Sequence, residues 1–149
     1  MSAAAALPGS SNETIRQMLS FRVGTEEYAI DILQVHEIRG QSAVTVMPRT
    51  AAWVRGAMNL RGNIVPIIDV KTRFGLPPDT SGGRPVIVVV AVGERLVGLL
   101  VDAVCDVIEL PLSAIEPAPE VQRDADFVEA LGRHADRLLI LLNVQKLID

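Results

Sequence analysis

Residues 21–38 read "FRVGTEEYAIDILQVHEI", and residues 90–107 read "VAVGERLVGLLVDAVCDV". At an offset of 69 the two stretches align without a gap: Gly24 falls on Gly93, and "VHEI" (35–38) falls on "VCDV" (104–107). Each begins as an apolar strand, turns at a glycine and returns as a second strand, which is the pattern of a β-hairpin.

The likeness continues downstream. "VTVMP" (44–48) lies on "IEPAP" (115–119) at an offset of 71. "WV" (53–54) lies on "FV" (127–128), and "IVPIIDV" (64–70) on "LLILLNV" (138–144), both at an offset of 74. The order is kept and the drift falls in loops. Alternation alone makes β-rich halves look alike, but it does not explain the shared apolar–acidic–apolar motif or the paired Pro48 and Pro119. Fixed-order self-similarity points to duplicated units. The expected fold is mainly β: two small, five-stranded, antiparallel, barrel-like (SH3-like) lobes, which remove most sheet edges by near closure. Lobe 1 is expected over about 16–82 and lobe 2 over about 83–149. Whether strands are exchanged between the lobes is left open. Pro66 suggests an edge or a bulge in its strand. Short helices are expected near Thr50, over Val70–Phe74, and over Val144–Ile148.

Composition narrows the function. The chain has 149 residues, 49% apolar and 3% aromatic, with a net charge of −4 and a pI near 5.2. Its core must be aliphatic. A nucleic-acid binder needs a positive footprint and stacking rings, and the chain as a whole offers neither, despite a local run of Arg39, Arg49, Arg55 and Arg61. The single cysteine, Cys105, rules out an intrachain disulfide and is expected to be a buried, inert thiol in a reducing compartment. With two histidines and one cysteine there is no zinc-type cluster, and no metal or cofactor is expected. Residues 1–15 carry no basic leader and are expected to form a flexible tail. No apolar run is long enough for a membrane-spanning helix, so a cytoplasmic protein with no direct membrane insertion is expected. Asp102 and Asp106, if on one regular strand, lie roughly 13 Å apart, too far for a catalytic pair; turn capping suits them better. Trp53 is expected in a core or in packing between lobes rather than as a ligand platform.

One turn stands out. Leu60-Arg61-Gly62 sits between apolar strands, and at an offset of 74 Arg61 meets Ala135 and Gly62 meets Asp136. A scaffold needs the same feature twice, so this arginine reads as an addition to one lobe. Gly62 lets the turn reach positive φ and lets a partner approach the backbone.

"FRVGTEEYAIDILQVHEIRG", "GAMNLRGNIVPIIDV" and "VGLLVDAVCDVIEL" resemble the CheW family of chemotaxis coupling proteins, in order from about Met18 to Leu147. "NLRG" followed by an apolar strand ending in Asp is the most specific piece. Ala57-Met58 and His36 depart conservatively from the family pattern. The resemblance implies two loosely closed β-barrel lobes with a groove between them and no catalysis. It implies coupling of chemoreceptors to the histidine kinase CheA by binding the kinase's regulatory domain and the receptors' cytoplasmic tip, with ring contacts between CheW-like domains and recruitment to membrane-bound receptor arrays. A CheW-like adaptor of a non-flagellar pathway, serving pili or biofilm, is the alternative. On this resemblance the partner-binding residues are Val35, Glu37, Ile38, Gly56, Asn59, Leu60, Arg61, Gly62 and Ile64. Val35 and Glu37 would form a groove edge with Arg61 near its rim. An arginine suits the role because its planar fork pairs carboxylates in two-point fashion.

Overall fold

The computed structural model describes residues 14–40, 44–48, 51–76, 84–119 and 127–148. The expected tail falls outside these up to residue 13, and Ile15 already opens a strand; the helix expected near Thr50 also lies outside them. Eleven strands and two short helices are described: β1 (Ile15–Val23), β2 (Glu26–Asp31), β3 (Val35–Arg39), β4 (Val54–Leu60), β5 (Asn63–Asp69), α1 (Val70–Arg73), β6 (Val86–Val92), β7 (Arg95–Val101), β8 (Ala103–Pro111), β9 (Ile115–Pro117), β10 (Val128–His134), β11 (Arg137–Leu142) and α2 (Val144–Ile148).

They form two sheets. The six-stranded sheet runs β9-β10-β11-β2-β1-β8 and the five-stranded sheet runs β3-β6-β7-β5-β4. The five-stranded lobe therefore takes every described strand between residues 35 and 101, and the six-stranded lobe takes those of 15–31 and 103–142. Boundaries at 16–82 and 83–149 do not describe the sheets. The hairpin β1–β2 completes the lobe of the second repeat, and β6–β7 completes the lobe of the first. This exchange introduces one parallel pairing per sheet, β2 with β11 and β5 with β7, where all-antiparallel sheets were expected.

Both sheets curl. β8 and β9 are the two edges of the six-stranded sheet, yet only the 3-10 turn Leu112–Ala114 separates them along the chain. In the five-stranded sheet, Thr45 reaches back to bridge Ala57 on edge strand β4. The repeat extends to single residues. Glu116 pairs with Leu131 as Thr45 pairs with Ala57, at offsets of 71 and 74. Asn143 N donates to Phe127 O (2.8 Å) as Asp69 N donates to Trp53 O (2.6 Å).

The near-continuous apolar strands are covered on both faces. Ile67, Ile87 and Val89 point into the five-stranded barrel, while their neighbours Ile68, Val88 and Val90 join a second core. That core also holds Phe21, Tyr28 and Ile140 of the other sheet, so the two lobes share it. A third core, with Met18, Leu110 and Leu139, fills the six-stranded barrel. Pro66 sits on an inner strand, where the parallel ladder with β7 starts only at Ile67. In the other lobe the ladder begins two repeat positions earlier, at Leu139 with Glu27, and Ile140 occupies the place of Pro66. A proline has no N–H to give a ladder.

Candidate partner-binding surfaces

The motif shared by "VHEI" and "VCDV" is a β-bulge that carries an acid. On β3, Val35 pairs with Val90 and Glu37 with Val89, so two steps face one. On β8, Val104 pairs with Phe21 and Val107 with Leu19, so Cys105 and Asp106 stand opposite Ser20 alone. A bulge breaks alternation and re-aims a side chain. Cys105 is consequently exposed, contrary to the buried thiol expected from its apolar neighbours.

Each bulge acid is held by an arginine. Arg61 Nη2 donates to Glu37 Oε1 in a short contact, and Arg39 Nη1 donates to Glu37 Oε2 at 3.0 Å. His36 Nε2 lies 4.0 Å from the same carboxylate. Arg61, and then Arg39, hold the Glu37 carboxyl below the usual carboxylate range. Because Glu37 lies on edge strand β3 and Arg61 follows edge strand β4, this clasp joins the two edges of the curled sheet. In the other lobe Arg137 Nη2 donates to Asp106 Oδ1 at 2.9 Å, Arg137 Nε donates to Glu27 Oε1 at 3.0 Å, and buried Ser20 Oγ donates to Asp106 Oδ1 at 2.8 Å. Arg137 is the first cause of the lowered pKa of both Glu27 and Asp106.

This alters the reading of Arg61 as an addition to one lobe. Arg61 and Ala135 both adopt positive φ, at 50° and 54°, so the turn's backbone is partly shared. The arginine clasp is shared too, but its donor in the second copy is Arg137, two repeat positions later. What differs is exposure: the Arg61 side chain is 66% exposed and that of Arg137 is 34%.

The other expected residues separate into surface and scaffold. Ile38 and Ile64 are exposed, the latter 70%, and Asn59 is exposed while its Oδ1 accepts from Gly62 N at 2.8 Å. Gly62 sits at φ 90°. Leu60 is only 2% exposed and packs in the five-stranded core. Gly56 is buried, and a Cβ there would come within 2.2 Å of Thr45 O. Val35 is half-buried against the inter-lobe core. Leu60, Gly56 and Val35 thus support the surface from beneath.

Asp102 and Asp106 do not share a strand. Asp102 lies in the bend between β7 and β8, where Oδ2 accepts from Gly24 N at 2.8 Å and Oδ1 meets Lys71 Nζ at 3.1 Å. Trp53 packs against the inter-lobe core, as expected.

Sequence reading missed a second surface. Ile15, Arg16, Gln17, Asp31, Ile32, Leu33 and Glu109 line an open groove of about 470 Å³, and Leu33 is 89% exposed beside exposed Ile15. Arg61 does not line it. A smaller groove of about 350 Å³, lined by Asn63, Ile64, Pro66 and Glu94–Val97, lies where the β5–β7 ladder opens. Leu33 follows directly on the expected hairpin, and its exposure arises from the 3-10 turn Ile32–Gln34. The only sequence signal was that its repeat counterpart is the polar Asp102.

Exposed apolar side chains recur at equivalent positions: Ile38 with Val107, and Ile64 with Leu138. Among the described residues no cluster of three His, Cys, Asp or Glu side chains is placed to hold a metal ion, and no helix is long and apolar enough to cross a membrane.

The fold is a two-lobed β module with exposed aliphatic side chains at equivalent positions of both lobes. Residues 17–149 match the CheW-like domain family. The chain is 42% identical over 141 residues to the chemotaxis protein CheW of Klebsiella aerogenes, covering 93% of this chain and 85% of that one. It is 39% identical over 140 residues to a probable chemotaxis protein CheW of Rhizobium etli, covering 93% and 90%. The crystal structure of the scaffolding protein TtCheW from Thermoanaerobacter tengcongensis superposes with a TM-score of 0.82 at 34% identity, covering 87% and 90%. The chain belongs to the CheW family and is a chemotaxis coupling adaptor.

Proposed function

We propose that the protein works by binding alone, joining the cytoplasmic tips of chemoreceptors to the regulatory domain of the CheA kinase through two separate faces, and that it acts in the cytoplasm at membrane-bound receptor arrays. The groove around Leu33 takes the receptor. An exposed leucine and isoleucine flanked by Arg16, Asp31 and Glu109 suit an amphipathic helix, whose apolar residues enter such a groove while its charged residues meet the rim. The Glu37–Arg61 end of the five-stranded lobe, with Ile38, Asn59, Gly62 and Ile64, takes the kinase domain. Arginine beside exposed aliphatics matches the composition of interface centres.

The observation that carries this reading is the position of β3. The strand begins beside the groove and bears Glu37 and Ile38 a few residues on, so one strand serves both faces. The recurrence of Ile38 as Val107 and of Ile64 as Leu138 gives the second lobe an end of similar chemistry, suited to ring contacts with another domain of this fold. Catalysis has no support in the carboxylates, since Asp102 and Asp106 are engaged by structural partners.

Receptor-bearing membranes, purified kinase and this protein are mixed and sedimented. The kinase is expected in the pellet only when the protein is present. Equal sedimentation of kinase without it would overturn the reading.

A further inference from the structure

The chain passes between the lobes at two places only among the described strands: the 3-10 turn Ile32–Gln34, between β2 and β3, and Asp102, between β7 and β8. Two crossing points define a hinge axis. Against that axis stands the short segment of α1 and Phe74. It belongs to the five-stranded lobe, yet its side chains reach across. Val70 enters the shared core. Lys71 Nζ lies 3.1 Å from Asp102 Oδ1, with both side chains largely buried. Arg73 donates from Nε to Leu147 O at 3.0 Å and from Nη2 to Lys146 O at 3.4 Å, both on α2. Its guanidinium sits 4.5 Å from the Trp53 ring centroid and 5.2 Å from that of Phe127. Phe74 stacks on Phe127, with centroids 4.9 Å apart, and packs on Tyr28 at 4.8 Å. Phe21 lies 6.2 Å beyond Tyr28.

The chain has five aromatic residues in all: three Phe, one Tyr and one Trp. They form one row across the lobe junction, and Arg73 completes it by joining Phe127 to Trp53. The repeat makes the arrangement asymmetric. Trp53 and Phe127 are equivalent at an offset of 74, and so are Arg73 and Leu147, so the cation exists in one copy and binds the carbonyl of its own counterpart.

We infer that the lobes hinge about Ile32–Gln34 and Asp102, and that α1, through Arg73, is the catch that sets the angle between the two docking faces. Apolar burial is non-directional and lets packed surfaces slide. A planar guanidinium held by two carbonyls and between two rings defines one orientation. The hinge segment also lines the proposed receptor groove, through Ile32 and Leu33. A helix seated there presses on the hinge, and the angle it selects is felt at the Arg61 end. This use of the hinge rests on the two-face reading above; the catch itself does not.

The test is a distance distribution in the free protein. Spin labels go on the native exposed Cys105 in the six-stranded lobe and on Glu94→Cys, in the β6–β7 turn of the five-stranded lobe. With Arg73 intact a single narrow distribution is expected. Arg73→Ala should broaden or shift it, and Arg73→Lys, which keeps the charge but loses the planar fork, should lie between. Emission from Trp53, the sole tryptophan, should move in the same order. A distribution for Arg73→Ala that superimposes on that of the parent overturns the inference, whatever the partner assays show. If the alanine variant fails to fold, the lysine variant decides: an unchanged distribution there rejects the planar catch. With partners present, Arg73→Ala should keep each pairwise binding affinity within about threefold while the kinase carried down with receptor membranes in the three-component mixture falls at least fivefold. Failure of the parent protein to bind either partner would instead sink the two-face reading and leave the distance result standing.

Discussion

Arg61 and Arg137 do the same mechanical task in two settings. Each holds the acid of a β-bulge, and each acid is more acidic than usual because a guanidinium favours its ionised form. The sign of the pH effect follows. Glu27, Glu37 and Asp106 have folded pKa values below their usual 4.5, 4.5 and 3.8. Their contribution to stability is present above those usual values and is lost as pH falls through the folded ones, where the unfolded chain binds more protons. Urea midpoints should therefore be level from neutrality to about pH 5 and decline with further acid. Arg137→Met should lower the midpoint at pH 7 and flatten the acid decline, because Glu27 and Asp106 lose the partner that shifted them. An acid decline as steep in the variant as in the parent would contradict this. At the same scale the sequence was partly misleading. Arg61 looked unique because its counterpart is alanine, and nothing in a linear alignment shows that Arg137 reaches back to fill the same place.

Among the elements, the local hairpins were the legible part. Hairpins, the helices after β5 and β11, and the duplicated order were all visible, since period-two patterning and turn glycines act locally. Exchange of the hairpins was not visible. A hairpin carries the same two-faced apolar pattern whichever lobe it completes, and the choice depends on which edge strand it meets. The bulges were equally hidden, because one extra residue leaves no compositional mark, and this is why Cys105 was misplaced. The bridge of Thr45 to edge strand β4 has a sharper signature. Gly56 must lack a side chain, because a Cβ would sit 2.2 Å from Thr45 O, which accepts from Ala57 N at 2.9 Å. Gly56→Ala should cost on the order of 3 kcal/mol in chemical denaturation, through loss of this bridge and local strain. A loss below about 0.5 kcal/mol, the range of an ordinary surface change, would show that the bridge relaxes freely.

On the scale of the whole molecule, the five-stranded lobe is an insertion within the six-stranded one, and the largest core lies between them rather than inside either. The family resemblance led to a groove with Arg61 at its rim. We propose two surfaces instead: the Leu33 groove at the 3-10 turn Ile32–Gln34, and the clasped end where the edges of the five-stranded sheet meet. A coupling protein with two faces should lose its partners one at a time. Co-sedimentation with receptor-bearing membranes, and separate capture by the isolated kinase regulatory domain, should be carried out on the parent protein, Leu33→Glu and Arg61→Ala side by side. Leu33→Glu is expected to abolish retention on receptor membranes and leave kinase capture within about twofold. Arg61→Ala is expected to weaken kinase capture at least tenfold, about 1.4 kcal/mol, and leave receptor retention unchanged. Equal weakening of both partners by either substitution, or no effect of either, would contradict the account.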